Sequence, residues 1–154
     1  MPPPVFIDTN ILLYAASNGR QDPLKTRLAR ELLRSRPWVI SLQVVQEFHV
    51  NATRKVALGI DVVQAANVLD GLLERAVVGL DAELFTAAVL RQNRFSLSYW
   101  DAAILSAANR AGCVLVYSED MASGQVYDDV LVLNPFAENG RWLLEDHPWM
   151  VREK

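Results

Sequence analysis

Short apolar runs alternate with amphipathic stretches along most of the chain. The apolar runs predict buried strands at residues 5–7, 38–40, 76–78, 114–117 and 130–133. The amphipathic stretches predict helices over residues 23–35, 41–56, 61–73, 81–93 and 98–111. Strands made only of apolar residues, separated by amphipathic helices, are typical of a parallel sheet covered by helices on both faces. The pattern therefore predicts an α/β fold.

Length and composition fit a single globular domain. The chain has 154 residues, of which 51% are hydrophobic and 21% are charged, so intrinsic disorder is excluded. No apolar run is long enough to span a bilayer, and the first ten residues have neither the basic nor the apolar region of a secretion signal. The one cysteine, Cys113, allows no internal disulfide, and we expect a cytoplasmic protein without a membrane partner.

Charge and motifs exclude several functions. With 15 basic and 18 acidic residues, the formal charge is −3, which gives no general attraction to nucleic acid. Contact with nucleic acid would need a local patch, or metal ions that reverse the sign of an acidic site. The sequence contains no dinucleotide-binding fingerprint, no P-loop and no nucleophile elbow.

Four acidic residues lie where predicted strands end or predicted helices begin. Asp8 and Asp120 follow strands, whereas Glu47 and Asp101 lie near the starts of helices, and in a parallel sheet all these points share one edge. Each also has a purely structural interpretation. Asp8 can cap a helix, Asp120 can sit in a turn, and Asp101 can form a capping box with Ser98. Glu47 belongs to a polar stripe of the kind that usually faces solvent.

Together, the four acids favour a metal site. Four carboxylates at one edge repel one another, and a divalent cation relieves that repulsion. Oxygen ligands suit Mg²⁺ or Mn²⁺, and the lack of histidine or cysteine nearby argues against zinc. Asp101 shares a predicted helix face with apolar residues, where an unpaired acid is costly. The pattern therefore indicates metal-dependent phosphoryl chemistry.

The order of these motifs resembles the PIN-domain family, specifically VapC-type toxin ribonucleases of toxin–antitoxin pairs. The resemblance covers nearly the whole chain and rests on residues 5–14, Ser41 with Glu47, and residues 95–104, 115–121 and 134–136. It implies a three-layer α/β/α fold with a central five-stranded parallel sheet. It also implies a homodimer, Mg²⁺- or Mn²⁺-dependent cleavage of RNA, and a small antitoxin protein as partner.

The resemblance assigns roles to individual residues. The acidic quartet that holds metal and activates water matches Asp8, Glu47, Asp101 and Asp120. The supporting polar residues match Thr9, Asn10 and Ser118, and a reserve acidic position matches Glu119. A nuclease domain would span residues 1–136, with residues 137–154 as an extension of unknown role.

Other functions remain open at this stage. A PIN-like fold without activity would act as an interaction module, and the same acids could serve a structure-specific deoxyribonuclease. A haloacid-dehalogenase-like phosphatase needs a second acid two positions after Asp8, where this chain has Asn10. Arg54, Arg91 and Arg94 could contact an RNA backbone, but a solvated helix surface explains them more simply.

Overall fold

The computed structural model of the protein describes residues 4–137, and all the strands in that range belong to one sheet. The strands are β1 (Val5–Ile7), β2 (Trp38–Ser41), β3 (Val77–Val78), β4 (Leu115–Tyr117), β5 (Val126–Tyr127) and β6 (Val130–Leu133). The helices are α1 (Thr9–Ala16), α2 (Pro23–Ser35), α3 (Leu42–Ala52), α4 (Val62–Leu73), α5 (Ala82–Phe95) and α6 (Tyr99–Arg110), with a short 3₁₀ helix at Val56–Leu58. The extension predicted at residues 137–154 lies outside the described residues, apart from Ala137.

The sheet has the order β3-β2-β1-β4-β6-β5, and its first five strands in that order are parallel. The α/β fold and the five parallel strands are confirmed, but the strand count was wrong by one. β5 pairs antiparallel with β6 and makes the sheet six-stranded and mixed. It has only two residues, Val126 is exposed, and polar residues surround it, so it lacks the apolar run that marked the other strands.

Local sequence sets the starts of the helices. Each of the six α-helices in residues 4–137 follows a residue whose side chain accepts a hydrogen bond from a first-turn N–H, namely Asp8, Asp22, Ser41, Asp61, Asp81 and Ser98. One boundary was wrong, because α3 ends at Ala52 rather than Val56. Residues 53–57 are all exposed, so no packing extends that helix. The chain instead enters the 3₁₀ helix, which Gly59 caps in a left-handed conformation with a φ of 67°.

The buried central strands bring two loops together at one edge. Every residue of β1, β4 and β6 is buried between the helices. Just past the strands, the Asp8 N–H donates to the Tyr117 carbonyl at 3.0 Å, and the Ser118 N–H donates to the Leu133 carbonyl at 3.0 Å. The strand ladder thus continues by one residue and places Asp8 and Ser118 side by side. Among residues 4–137, no helix has both the length and the apolar character needed to cross a bilayer.

Candidate active site

Asp8 is a buried carboxyl group at the end of β1, with only 7% of its surface exposed. Its Oδ1 accepts a hydrogen bond from the Thr9 N–H at 2.8 Å, and its Oδ2 accepts one from the Ser118 hydroxyl at 2.6 Å. Burial raises the pKa of Asp8 to about 6, the two hydrogen bonds oppose that rise, and the charges of Glu47 and Asp120 add to it. Asp8 therefore caps α1, as one of its two interpretations predicted. Its buried carboxylate would also be stabilised by a nearby positive charge.

Glu47 projects from α3 toward the same edge. Its Oε2 accepts a hydrogen bond from the Thr9 hydroxyl at 3.2 Å, and its Oε1 accepts one from the Gln43 amide at 2.8 Å. Gln43 is buried, and the Asn51 amide donates to the backbone carbonyl of Glu47 at 2.8 Å. The polar stripe on this helix is therefore a hydrogen-bonded network around Glu47 rather than a uniformly solvated face.

Ser118 and Asn10 hold the loop that carries Asp120. The Ser118 Oγ accepts hydrogen bonds from the N–H groups of Asp120, at 3.3 Å, and Met121, at 3.4 Å, while it donates to Asp8. The Asn10 amide donates to Oδ2 of Asp120 at 3.0 Å. Asp120 itself is exposed, so its carboxylate faces solvent at the mouth of the site.

Asp101 lies in the first turn of α6 and is half-buried. Its N–H donates to the Ser98 Oγ at 3.1 Å, so the predicted Ser98 cap is confirmed. Burial raises the pKa of Asp101, and the charge of Asp120 raises it further, whereas Ser98 lowers it. The inward helix face predicted for this acid is also confirmed, because its apolar members are all buried, namely Ile104, Leu105 and Ala108.

The four predicted acids therefore share one electrostatic neighbourhood. Asp120 raises the pKa values of both Asp8 and Asp101, and Glu47 raises that of Asp8. In the described range 4–137, however, no three Asp, Glu, His or Cys side chains converge as ligands of one ion. The donor chemistry fits Mg²⁺, which uses one or two carboxylates and keeps several of its waters. Direct coordination by more of the acids requires their side chains to move closer together.

Glu119, the reserve candidate, has other partners. Its Oε2 forms an ion pair with the Lys25 ammonium, and its Oε1 accepts a hydrogen bond from the Tyr14 hydroxyl at 3.2 Å. The Lys25 nitrogen also lies 5.3 Å from the centre of the Tyr14 ring and 5.6 Å from that of Phe136. This cluster fixes the loop after β4 against α1 and α2, so Glu119 contributes to structure beside the site.

Within residues 4–137, two grooves lie beside the acids. The first, which we call the lysine groove after Lys55, has a volume of about 400 Å³. Its lining also includes Asn10, Tyr14, Glu119 and Asp120. The tryptophan groove has a volume of about 470 Å³ and is lined by Gln43, Gln46, Glu47, Val50, Asn51 and Trp100.

The two grooves are named after Lys55 and Trp100, which had no role in the predictions from sequence. Because Trp100 directly precedes Asp101, its place in that motif could have indicated a role. Lys55 lies in an exposed turn and belongs to no motif. Two of the arginines considered for RNA contact, Arg91 and Arg94, instead form ion pairs with Asp128.

Replacing Ser118 with alanine should destabilise the protein by about 1–3 kcal/mol, because a buried carboxylate and two N–H groups lose their partner. The Ser118 hydroxyl lowers the pKa of Asp8, so its loss should raise that pKa further. The destabilisation should consequently be larger at about pH 8, where Asp8 is ionised, than at about pH 5. Urea unfolding at both pH values measures the difference.

Ser106→Ala is the matched control for that experiment. Ser106 is also a buried serine, with its hydroxyl bonded to the Ala102 carbonyl at 2.8 Å, but it lies within α6. We expect this variant to lose stability equally at both pH values. If Ser118→Ala also lost stability equally at both, Ser118 would not control the ionisation of Asp8.

Comparison with known proteins identifies the fold. The family model described as PIN domain matches residues 5–127. A toxin–antitoxin complex from Klebsiella pneumoniae is similar in structure, with a TM-score of 0.65 and 21% identity over 86% of this chain and 98% of the other. The sarcin–ricin-loop-cleaving toxin VapC20 from Mycobacterium tuberculosis gives a TM-score of 0.58 and 20% identity over 75% of this chain and 89% of the other. No curated protein sequence matches the chain significantly.

Proposed function

Because this chain belongs to the PIN domain family, we propose that it is a Mg²⁺- or Mn²⁺-dependent endoribonuclease and the toxin of a toxin–antitoxin pair. The observation that carries the proposal is the coupling of the carboxylates at one sheet edge. Besides burial, the charges of Glu47 and Asp120 raise the pKa of Asp8, and the charge of Asp120 raises the pKa of Asp101. Similarity to a toxin–antitoxin complex and to an RNA-cleaving toxin supports the choice of RNA over other phosphodiesters.

The proposal gives each side chain a task. Asp8, Asp101 and Asp120 would hold one or two metal ions, and Glu47 would complete the set or position the attacking water. A bound ion would supply positive charge that offsets the negative charge of the scissile phosphate and lowers the pKa of a water bound to the ion.

The supporting side chains keep the carboxylates in place. Ser118 holds Asp8, the Thr9 hydroxyl holds Glu47, and the Asn10 amide holds Asp120. These contacts hold the acids at the sheet edge before a metal binds, and a closer approach of their side chains would accompany binding of the ion.

The acidic edge also fits the proposed partner. An antitoxin that places a basic peptide segment against these carboxylates would be attracted electrostatically and would block the site. We further propose that the protein acts in the cytoplasm as a homodimer, as its resemblance to VapC-type toxins implies.

The test is a cleavage assay on total RNA and single-stranded DNA, with and without Mg²⁺ or Mn²⁺. Wild type should cut RNA only with metal, and Asp101→Asn should lose the cuts, whereas the control Asp70→Asn should keep them, because Asp70 is an exposed residue of α4. Cuts confined to DNA would favour the deoxyribonuclease alternative. Folded, partner-free protein that neither binds metal nor cuts would favour a non-catalytic interaction module.

A further inference from the structure

Among residues 4–137, Trp100 is the most exposed aromatic residue beside the acids. It is 64% exposed, although it lies in the first turn of α6 directly before Asp101. The Gln43 amide donates both to the Trp100 carbonyl, at 3.3 Å, and to the Glu47 carboxylate, at 2.8 Å. One buried side chain therefore fixes the backbone of the tryptophan relative to an acid of the site.

Neighbouring rings hold the indole in place. The Tyr99 ring meets the Trp100 ring edge to face, with centroids 5.0 Å apart and an interplanar angle of 80°. The Phe85 ring, whose residue is 54% exposed, has its centroid 5.7 Å from that of Tyr99. Such contacts order an exposed ring while most of its surface stays open to solvent.

The indole lines two hollows whose walls carry amide groups. One is the tryptophan groove, and the other has a volume of about 500 Å³ and is lined by Gln43, Gln46, Leu80, Phe85, Tyr99 and Trp100. The exposed Gln46 amide lines both and can donate and accept hydrogen bonds. An exposed aromatic ring can stack against a nucleobase, and an adjacent amide can hydrogen-bond to the edge of that base.

We propose that Trp100 stacks against an unpaired base of the RNA close to the bond that is cut, an inference that rests on the proposed function. Because the chain carries a formal charge of −3, phosphate attraction is weak, and stacking would supply affinity that charge does not. Bases within a duplex have their faces covered, so this contact requires an unpaired base.

The same surface suits a second copy of the chain less well. The tryptophan groove places the Glu47 carboxylate and several amides around one indole and one valine. Charged side chains are depleted at the centres of protein–protein interfaces, and this groove has a carboxylate in its wall. The base is therefore the favoured occupant, and self-association becomes an outcome of the test.

The experiment measures the binding of a labelled single-stranded RNA of about 10 nucleotides by fluorescence anisotropy. All proteins carry Asp8→Asn, which stops cleavage and removes one repelling charge, and Mg²⁺ is present. Trp100→Ala should weaken binding at least about fivefold, and Trp100→Phe should recover most of the loss. Leu90→Ala is the matched control, because Leu90 is 65% exposed on α5 and lines neither hollow, and it should bind like its parent.

A second set of RNAs locates the stacked base. Each carries one abasic nucleotide, which keeps the phosphate but removes the base. One abasic position should weaken binding to the Trp100 protein, and the same position should cost nothing further in Trp100→Ala. This non-additivity identifies a direct contact.

Three results would overturn the inference. Equal RNA binding by Trp100→Ala and Leu90→Ala would remove the stacking role while leaving the ribonuclease proposal intact. A change from dimer to monomer in Trp100→Ala, measured by sedimentation, would assign the surface to a contact between copies. If the Asp8→Asn parent did not bind RNA and wild type did not cut it, the proposed function and this inference would fail together.

Discussion

Asp8→Asn is expected to abolish cleavage and, at the same time, to stabilise the metal-free protein at neutral pH. Loss of a metal-holding carboxylate should reduce the cleavage rate by about 100-fold or more. The stability gain follows from the pKa of Asp8, which burial raises from 3.8 to about 6 in the folded protein. Folding thus favours the protonated group, so its stabilising contribution is full below about pH 4 and is lost as the pH rises through 6.

The neutral asparagine avoids that loss. Above about pH 6 the variant should be more stable than metal-free wild type by on the order of 2 kcal/mol. The helix cap survives, because asparagine caps a helix as well as aspartate does. The hydrogen bond with Ser118 is weakened, because the Ser118 Oγ already accepts from two N–H groups, and this reduces the gain expected from the pKa shift alone. Urea denaturation in the presence of a chelator, at about pH 7.5, measures the gain.

Asp61→Asn provides the matched control for stability. Asp61 caps α4 in the same way, through its Oδ1 and the Gln64 N–H at 2.7 Å, but it is exposed, so there is no burial cost to relieve. This variant should match wild type in both stability and cleavage. An Asp8→Asn protein that was less stable than wild type at neutral pH would show that the buried charge is already compensated without metal.

Cleavage at subsaturating metal should fall by about tenfold per pH unit below about pH 6, because Asp8 must lose its proton to hold a cation. The raised pKa of Asp8 places this transition well above the usual carboxylate range, and the raised pKa of Asp101 acts in the same direction. The measurement is kcat/KM against pH at a fixed low Mn²⁺ concentration.

A metal titration separates this cause from acid unfolding. Higher Mn²⁺ competes with the proton, so the midpoint of the pH profile should move to lower pH as the metal concentration rises. Unfolding monitored by circular dichroism should show no transition over the same range. A midpoint near pH 4 that ignored metal would mean that Asp8 is not the titrating ligand.

The fold was predictable because the buried strands and capped helices carry strong local signals. β1, β4 and β6 are continuous apolar runs, and such runs occur where both faces of a sheet are covered. β5 carried no such signal, since it depends on pairing with β6 rather than on its own burial. The end of α3 was missed for a similar reason, because loss of packing rather than a breaker residue stops it.

The position of the candidate residues in the fold was predictable only where they adjoin fold signals, and their roles stay a prediction. Asp8 and Asp120 follow apolar strands, and Asp101 follows the Ser98 cap, so topology alone gathers them. The ion pair between Glu119 and Lys25 joins residues far apart in sequence, and no local pattern encodes it. The exposure of Trp100 is likewise a tertiary property, since an apolar residue in a helix is ordinarily expected to be buried.

The most direct test of the whole account is the rate of RNA cleavage as a function of Mg²⁺ concentration, in wild type and Asp101→Asn. We expect no cleavage by wild type in chelator, a saturable rise with Mg²⁺, and a rate for Asp101→Asn that stays at least about 100-fold lower at every concentration. RNA cleavage that persisted in chelator, or that Asp101→Asn performed as fast as wild type, would contradict the claim that the carboxylates at this sheet edge form a metal-dependent ribonuclease.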